Sequence, residues 1–353
     1  TSIDISSASD LAGSITTTST QTFTGAVALG ADTTLTTTDS NISFLSTIDG
    51  DGTARDLTID TNGTTGTILF DSLVGNSNDL DAITITGNLD LNAAITSATS
   101  LSVSGTANLG ANVTTSGNQN YSGAVIVSTN VALIGGSQLT FGDTVDSSDT
   151  ASTTDARTLT TTFTETEFDG AVGGSYALGA MDINGHLDLD AAITSAASMD
   201  VSGTANLGAN VTTTGTQTYT GAVTLSGADR TLTATTVNFG STLAGGNNAL
   251  TITGIFDLDG TATGLTTLLV SDTSNLGANV TTSGSQTYQG AVTITGDRTL
   301  TTTNSNVDFD ATVNAATIGD SLTIAAGTGN VTFDQAVGGT TALGNLNITP
   351  GAL

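Results

Sequence analysis

The chain has 353 residues, a formal net charge of −28, four arginines and no lysine. This charge argues against nucleic acid as a partner, because neutralising phosphates needs a surface rich in Lys and Arg. The absence of cysteine rules out disulfides, thiolate metal sites and cysteine nucleophiles. No apolar run is long enough to form a membrane-spanning helix, so we expect no membrane insertion.

One phrase, Gln-x-aromatic-x-Gly-Ala-Val, occurs four times along the chain, beginning at Gln21, Gln119, Gln217 and Gln286. The successive offsets are 98, 98 and 69 residues. A shorter skeleton, a large apolar residue followed four positions later by a small or aliphatic one, recurs within and between these copies. It starts at Phe23, Phe44, Phe70, Leu91, Tyr121, Phe141, Phe168, Leu189, Tyr219, Phe239, Leu258, Tyr288, Phe309 and Phe333. Its mean spacing of about 24 residues lies in the range of solenoid repeats.

The elements within each repeat are predicted to be strands. Alternation of apolar and polar residues, as in Leu187-Asp188-Leu189-Asp190, favours strands, and no segment has sustained helical periodicity. Turns this short bury their apolar residues only by stacking. The sequence therefore predicts an all-β fold, a parallel β-helix (β-solenoid) of roughly 14 to 15 turns, right-handed by the crossover rule. Tandem β-sandwiches would fit a 98-residue period but not its division into four steps.

The expected domain organisation is a single continuous solenoid over residues 1–353. Its four-turn super-repeats lie near residues 21–118, 119–216, 217–285 and 286–353. The third super-repeat is one turn short, and the fourth is incomplete. The loss of one whole turn is a change that a stacked repeat protein tolerates, because each turn contacts only its neighbours.

The phrases Gly117–Val125, Asn306–Phe309 and Phe333–Gly339 resemble the β-strand repeats of very large bacterial surface proteins. They are similar to those of filamentous-haemagglutinin-type adhesins and autotransporter passengers. The resemblance implies a secreted, extracellular or cell-surface protein that forms a stalk, fibre or surface-layer element. Because the ends of a solenoid are unpaired strand edges, we expect further copies of the chain as partners, assembled head-to-tail or laterally, and an adhesive role would add cell-surface glycans.

Parallel β-helices also include polysaccharide lyases and hydrolases, so a carbohydrate-active enzyme or a glycan-binding module is the alternative. Glu165 and Glu167 are the only glutamates, and two acids on one face suit glycosidic chemistry. We place both glutamates in a long, solvated turn. This placement favours a protein that performs no catalysis and has no catalytic residue. His186, the only histidine, is expected to be an exposed turn residue.

Several aspartates occur in pairs that place two carboxylates on one strand face. Carboxylates are hard oxygen ligands that suit calcium. The candidate calcium ligands are Asp188, Asp190, Asp257 and Asp259. We expect no other cofactor.

Overall fold

The computed structural model describes residues 1–148 and 156–350. Within these ranges the chain forms 42 strands and no helix, and the pairings between strands are parallel. A membrane-spanning helix is accordingly not found in this part of the chain. The residues divide into two compact units, Thr1–Gly185 and His186–Leu353, which are described separately below.

Most strands are short because they span one side of a turn, whereas longer ones such as Ile95–Val103 and Arg230–Phe239 continue through a corner onto a second side. In the first unit they are β1 (Ile3–Ile5), β2 (Ser9–Leu11), β3 (Ser14–Thr16), β4 (Gln21–Phe23), β5 (Val27–Leu29), β6 (Thr33–Thr36), β7 (Ile42–Phe44), β8 (Ile48–Gly50), β9 (Leu57–Asp60), β10 (Thr67–Phe70), β11 (Leu80–Thr86), β12 (Asn88–Leu91), β13 (Ile95–Val103), β14 (Ala107–Leu109), β15 (Val113–Thr115), β16 (Gln119–Tyr121), β17 (Val125–Val127), β18 (Val131–Ile134), β19 (Gln138–Phe141), β20 (Val145–Ser147) and β21 (Leu159–Phe168). Strand β22 (Leu178–Leu189) contains the boundary. The second unit continues with β23 (Ile193–Val201), β24 (Ala205–Leu207), β25 (Val211–Thr213), β26 (Thr216–Tyr219), β27 (Val223–Leu225), β28 (Arg230–Phe239), β29 (Leu243–Ala244), β30 (Leu250–Leu258), β31 (Ala262–Leu265), β32 (Leu268–Val270), β33 (Ser274–Leu276), β34 (Val280–Thr282), β35 (Gln286–Tyr288), β36 (Val292–Ile294), β37 (Arg298–Thr301), β38 (Val307–Phe309), β39 (Val313–Ala315), β40 (Leu322–Gly327), β41 (Val331–Phe333) and β42 (Leu346–Pro350).

Each unit is a stack of three-sided turns, and strand register defines one column of core residues on each side. In the first unit the first column contains Phe23, Phe44, Phe70, Leu91, Leu109 and Val127. The second contains Val27, Ile48, Val74, Ile95, Val113 and Leu133. The third contains Leu35, Ile59, Ile85, Val103, Tyr121, Phe141 and Phe168.

The second unit repeats this arrangement. Its first column contains Leu187, Ala205, Val223, Leu243, Ala262, Val280, Leu300, Ile324 and Ile348. Its second contains Ile193, Val211, Leu232, Ile252, Val270, Tyr288, Phe309 and Phe333. Its third contains Val201, Tyr219, Phe239, Leu258, Leu276, Ile294 and Ala315.

The predicted all-β parallel solenoid is confirmed, but the turn is shorter than the sequence spacing suggests. The described residues form about 17 turns of about 20 residues each, rather than 14 to 15 turns of about 24. The difference comes from the 30-residue steps such as Leu91 to Tyr121. Leu91 pairs with Leu109, only 18 residues later, whereas Tyr121 pairs with Val103 in another column. A 30-residue step along the chain therefore covers one full turn of the solenoid and two sides of the next turn.

The repeated phrase consequently changes side between successive copies inside one unit. Phe23 lies in the first column of its unit and Tyr121 in the third. In the second unit Tyr219 lies in the third column and Tyr288 in the second. Spacing could not show this, because all three sides are built from the same alternation of buried and outward residues. The single continuous solenoid over residues 1–353 and its right-handed coil stay predictions.

The aromatic residue of each phrase begins a ladder of adjacent rings, most of which are stacked. Tyr121, Phe141 and Phe168 form one of them, with ring centroids 5.6 and 5.0 Å apart. The ladder that begins at Phe23 has centroids 4.9 Å apart at its first step, with nearly parallel planes. Such ring pairs add about 0.5 to 1.5 kcal/mol each beyond their buried area. The ladders therefore concentrate stability at the start of each super-repeat.

The glycine of the phrase lies at a corner where successive turns approach each other closely. A Cβ atom on Gly123 would lie 2.4 Å from the carbonyl oxygen of Gly105 in the preceding turn. The same holds at Gly221, where the distance to the carbonyl oxygen of Gly203 would be 2.1 Å. Glycine is required at this corner by lack of space.

Candidate functional site

The first predicted calcium pair, Asp188 and Asp190, faces outward at the end of β22. Asp188 is half-buried, and its Oδ1 atom accepts a hydrogen bond of 2.8 Å from Nδ2 of Asn206 in the next turn. An identical bond of 2.8 Å joins Asn108 to Asp90 in the first unit. The Asp188 carboxylate therefore links two turns, and Asp190 is the exposed member of the pair.

The second pair, Asp257 and Asp259, lies in a different column, three turns further along the second unit. Asp257 is half-buried between Asn238 and Asn275, its register partners in the adjacent turns. Burial, together with the nearby charge of Asp259, raises the pKa of Asp257. The two pairs lie in different columns, so the structure does not bring the four aspartates together, and calcium at either pair stays a prediction.

Glu165 and Glu167 lie on strand β21, so their placement in a long turn was wrong. Both are half-buried and both face outward, in register with Gln138 and Thr140 of the preceding turn. The Oε2 atom of Glu167 accepts hydrogen bonds of 2.9 Å from Gln138 Nε2 and 3.2 Å from Thr140 Oγ1. These bonds give Glu167 a role in joining turns.

His186 is exposed as expected, but it lies on strand β22 rather than in a turn. Its Nδ1 atom accepts a hydrogen bond of 3.0 Å from the backbone N–H of Thr204. Asn88, exactly 98 residues earlier, accepts the same bond of 3.0 Å from Thr106 N–H. His186 therefore replaces an asparagine that caps the next turn.

Side-chain caps of this kind recur at corners throughout both units. An Asn or Asp oxygen accepts the backbone N–H of a residue one turn further along the chain, which satisfies a donor that the strand ladder leaves unpaired. For example, Asn41 Oδ1 accepts the N–H of Thr67 at 3.0 Å. Asn112 Oδ1 accepts the N–H of Ala132 at 2.8 Å, and Asp229 Oδ1 accepts the N–H of Ala249 at 2.8 Å. Sequence reasoning missed this role, although the recurring Asn-Val-Thr at strand starts was a signal for it.

The most regular polar feature of the core is the glutamine clamp, formed by the phrase glutamines Gln21, Gln119, Gln217 and Gln286. All four side chains are fully buried. Nε2 of Gln119 donates to the carbonyl of Val113 at 3.2 Å in its own turn and of Ile134 at 3.0 Å in the next turn. Its Oε1 accepts a hydrogen bond of 3.2 Å from the Tyr121 hydroxyl. The clamp therefore joins two turns at a corner, and its side-chain oxygen accepts the hydrogen bond of the buried tyrosine hydroxyl.

The first copy of the clamp, at Gln21, differs from the others in the partner of the side-chain oxygen Oε1. Nε2 of Gln21 donates to Ile15 O at 3.3 Å and Thr36 O at 2.9 Å, as in the other copies. Phenylalanine stands at position 23, so no hydroxyl meets Oε1 of Gln21, which is buried without a partner among the described residues. The other three copies have tyrosine there, and burial raises the pKa of each phenol.

A polar groove of about 590 Å³ lies on the outer face of the first column of the second unit. We call it the Arg298 groove. The residues that line it include Arg298, Asp297, Asn279, Thr299, Thr323 and Asn347. Thr299, Thr323 and Asn347 are in direct register on three successive strands. The groove therefore presents hydroxyl and amide groups at the regular spacing of a parallel sheet, about 4.8 Å.

Strand β42 pairs with β40 in the second unit. Leu346 and Ile348 lie in register with the buried Leu322 and Ile324, yet they are 41% and 48% exposed.

No protein-family model, no curated protein and no solved structure matches this chain.

Proposed function

We propose that the chain is an extracellular or cell-surface structural protein, with an adhesive role, that forms a stalk, fibre or surface-layer element and performs no catalysis. The observation that carries this proposal is the use of its polar side chains. Glu167, His186 and Asp188, which sequence analysis weighed as chemical groups, each form a hydrogen bond to a neighbouring turn. Stacking of turns accounts for these groups without a reaction.

Electron microscopy of material isolated from its source, with antibody labelling, tests the structural role directly. We expect label on stalks, fibres or a lattice outside the cell. Label confined to the cell interior, or on dispersed particles only, would contradict the proposal. Incubation with a panel of polysaccharides should release no products. An activity that E165Q and E167Q together abolish would favour the enzyme alternative.

Assembly with further copies of the chain is part of the proposal. It is supported by the exposed apolar side chains of Leu346 and Ile348, which contact with another copy would cover. We expect sedimentation velocity to show association that grows with protein concentration, and the double substitution L346D/I348D to abolish it. A matched change at a loop residue, I318D, should leave assembly unchanged, because Ile318 is 81% exposed and lies outside the strands. A monomer at every concentration would remove this part of the proposal.

Calcium at the aspartate pairs is also proposed, and no other cofactor is needed for the role. The support is the outward-facing carboxylates of Asp188 and Asp190, and of Asp257 and Asp259. Calcium should raise the melting temperature over that in chelator, and D190N or D259N should reduce the rise. Equal melting temperatures with and without calcium would exclude a stabilising site.

A further inference from the structure

The sequence contains two Asn-Gly dipeptides, Asn62-Gly63 and Asn184-Gly185, and the fold holds their backbones differently. Both asparagines are exposed, and both follow a β-branched residue. In Asn-Gly the backbone nitrogen of the glycine can attack the side-chain amide of the asparagine, because glycine has no Cβ atom to shield its nitrogen. The reactivity of each dipeptide therefore depends on whether its backbone is free to bring these two groups together.

Asn62 and Gly63 lie in the exposed loop between β9 and β10. Asn62 has a positive φ of 47°, a conformation that asparagine tolerates better than most residues. Its backbone N–H donates to Asp60 Oδ1 at 2.7 Å. Its side-chain amide and the N–H of Gly63 have no hydrogen-bond partner among the described residues. The attacking nitrogen and the amide that it attacks are therefore both free.

Asn184 and Gly185 lie inside strand β22, so their backbone is extended and held by the sheet. Gly185 also packs against the backbone carbonyl of Phe163 so closely that a Cβ atom would not fit. A glycine nitrogen held in this way reaches the preceding side chain only after the strand opens locally. The exposure of Asn184 is thus not enough to make it reactive.

We propose that Asn62 is a site of spontaneous deamidation in the folded protein. The backbone nitrogen of Gly63 loses its proton and attacks Cγ of Asn62, which closes a cyclic imide and releases the side-chain nitrogen as ammonia. Water then opens the imide at either carbonyl and gives aspartate or isoaspartate. The net reaction consumes one water, releases one ammonia and adds one carboxylate, without an enzyme.

The new carboxylate enters a corner that already contains Asp60 and Asp39. Asp39 Oδ1 accepts the N–H of Thr65 at 2.8 Å and the N–H of Gly66 at 3.1 Å, which ties the loop to the preceding turn. Like charges repel, and isoaspartate also lengthens the backbone by one methylene. We expect amide hydrogen exchange at Thr65 and Gly66 to become at least about tenfold faster in the modified chain, because this tie is weakened.

Ageing of the purified chain at mildly alkaline pH, followed by peptide mapping with mass spectrometry, tests the proposal. Labelling by isoaspartyl methyltransferase identifies the isoaspartate product. In the folded chain Asn62 should deamidate at least about tenfold faster than Asn184, because β22 must first open. In urea, where neither backbone is held, the two rates should become equal. Asn184 is thus a matched control within the same molecule.

N62G is the variant that blocks the reaction, since it removes the amide and keeps a residue that adopts positive φ freely. Gly63 cannot be changed instead, because a Cβ atom there would clash with the Asp39 carboxylate. Ageing should leave amide exchange at Thr65 and Gly66 unchanged in N62G. Faster exchange in aged N62G would contradict the assignment to Asn62.

Equal rates at the two asparagines of the folded chain, or no reaction at Asn62, would overturn the proposal. A difference that persists in urea would also overturn it, because the difference would then come from the neighbouring sequence and not from the fold.

Discussion

At the scale of single residues, the four copies of the glutamine clamp form an internal comparison. Three copies have a tyrosine hydroxyl on the glutamine Oε1, at 3.1 to 3.3 Å, and one copy has phenylalanine. Gln21 Oε1 is therefore a buried acceptor without a donor among the described residues. A buried acceptor left unpaired costs about 1 to 3 kcal/mol.

We expect F23Y to stabilise the protein by about 1 kcal/mol, because the new hydroxyl donates to Gln21 Oε1. Urea unfolding of the native and variant chains measures the change. F44Y is the control, since Ile42 occupies the position of the glutamine and the new hydroxyl would be buried without that acceptor. F44Y should destabilise. Equal effects of the two substitutions would show that the clamp does not use the hydroxyl.

Asp257 provides a second residue-scale prediction. Asn238 Oδ1, in the adjacent turn, is buried without a partner among the described residues, and the charged Asp257 carboxylate has no proton to donate to it. D257N supplies an amide donor and removes the repulsion from Asp259. We expect stabilisation by about 1 kcal/mol at neutral pH. D308N, which changes an outward aspartate on a different side of the second unit, is a control expected to have little effect.

The pH dependence follows from the raised pKa of Asp257. A folded-state pKa above that of the unfolded chain means that folding favours the protonated carboxyl. This group's contribution to the free energy of unfolding therefore rises as the pH falls through the raised pKa towards the ordinary value of 3.8, below which the gain is complete. The advantage of D257N over the native chain should shrink over the same interval. An advantage independent of pH would contradict this assignment.

At the scale of the corner, close approach of turns limits which residues fit. G123A should destabilise by at least about 2 kcal/mol, because its Cβ would lie 2.4 Å from the backbone oxygen of Gly105. Gly240 is the matched control, since its nearest non-bonded neighbour would be 3.5 Å from an added Cβ. Thermal unfolding of G123A and G240A compares the two. A tolerated G123A would mean that the turns separate easily at this corner.

The strands also show how much of the fold could be predicted from the sequence. Strand type and parallel stacking followed from the repeated phrase and the alternation of residues. The length of a turn did not, because Leu91 and Tyr121 look like successive members of one column although they lie in different ones. The roles of His186 and Asp188 were missed because Asn, Asp and His oxygens and nitrogens suit caps and metal sites alike. The recurrence of glutamine in the phrase was visible in the sequence, but the clamp was not predicted, because only strand register places these glutamines in line with aliphatic core residues such as Ile42 and Leu139.

At the scale of the whole molecule, stability is expected to be a sum over neighbouring turns. Register defines one full turn as residues 89–106, because Leu89 pairs with Ala107. Deleting residues 89–106 should retain the β-sheet spectrum and cooperative unfolding, with a lower midpoint. Deleting residues 98–106 removes half a turn and should abolish folding, because the later residues lose their column partners. Circular dichroism during urea titration distinguishes the outcomes, and similar behaviour of both deletions would contradict the register.

The buried clamps also make the protein an optical reporter of its own core. The chain has no tryptophan and four tyrosines, so its near-ultraviolet signal comes from very few rings. Tyr121, Tyr219 and Tyr288 are fully buried with their hydroxyls on glutamine, whereas Tyr176 is 44% exposed. Chemical nitration of the folded chain should therefore modify Tyr176 first. Replacing that residue by phenylalanine would leave a protein whose tyrosine emission reports only on the opening of the three clamps.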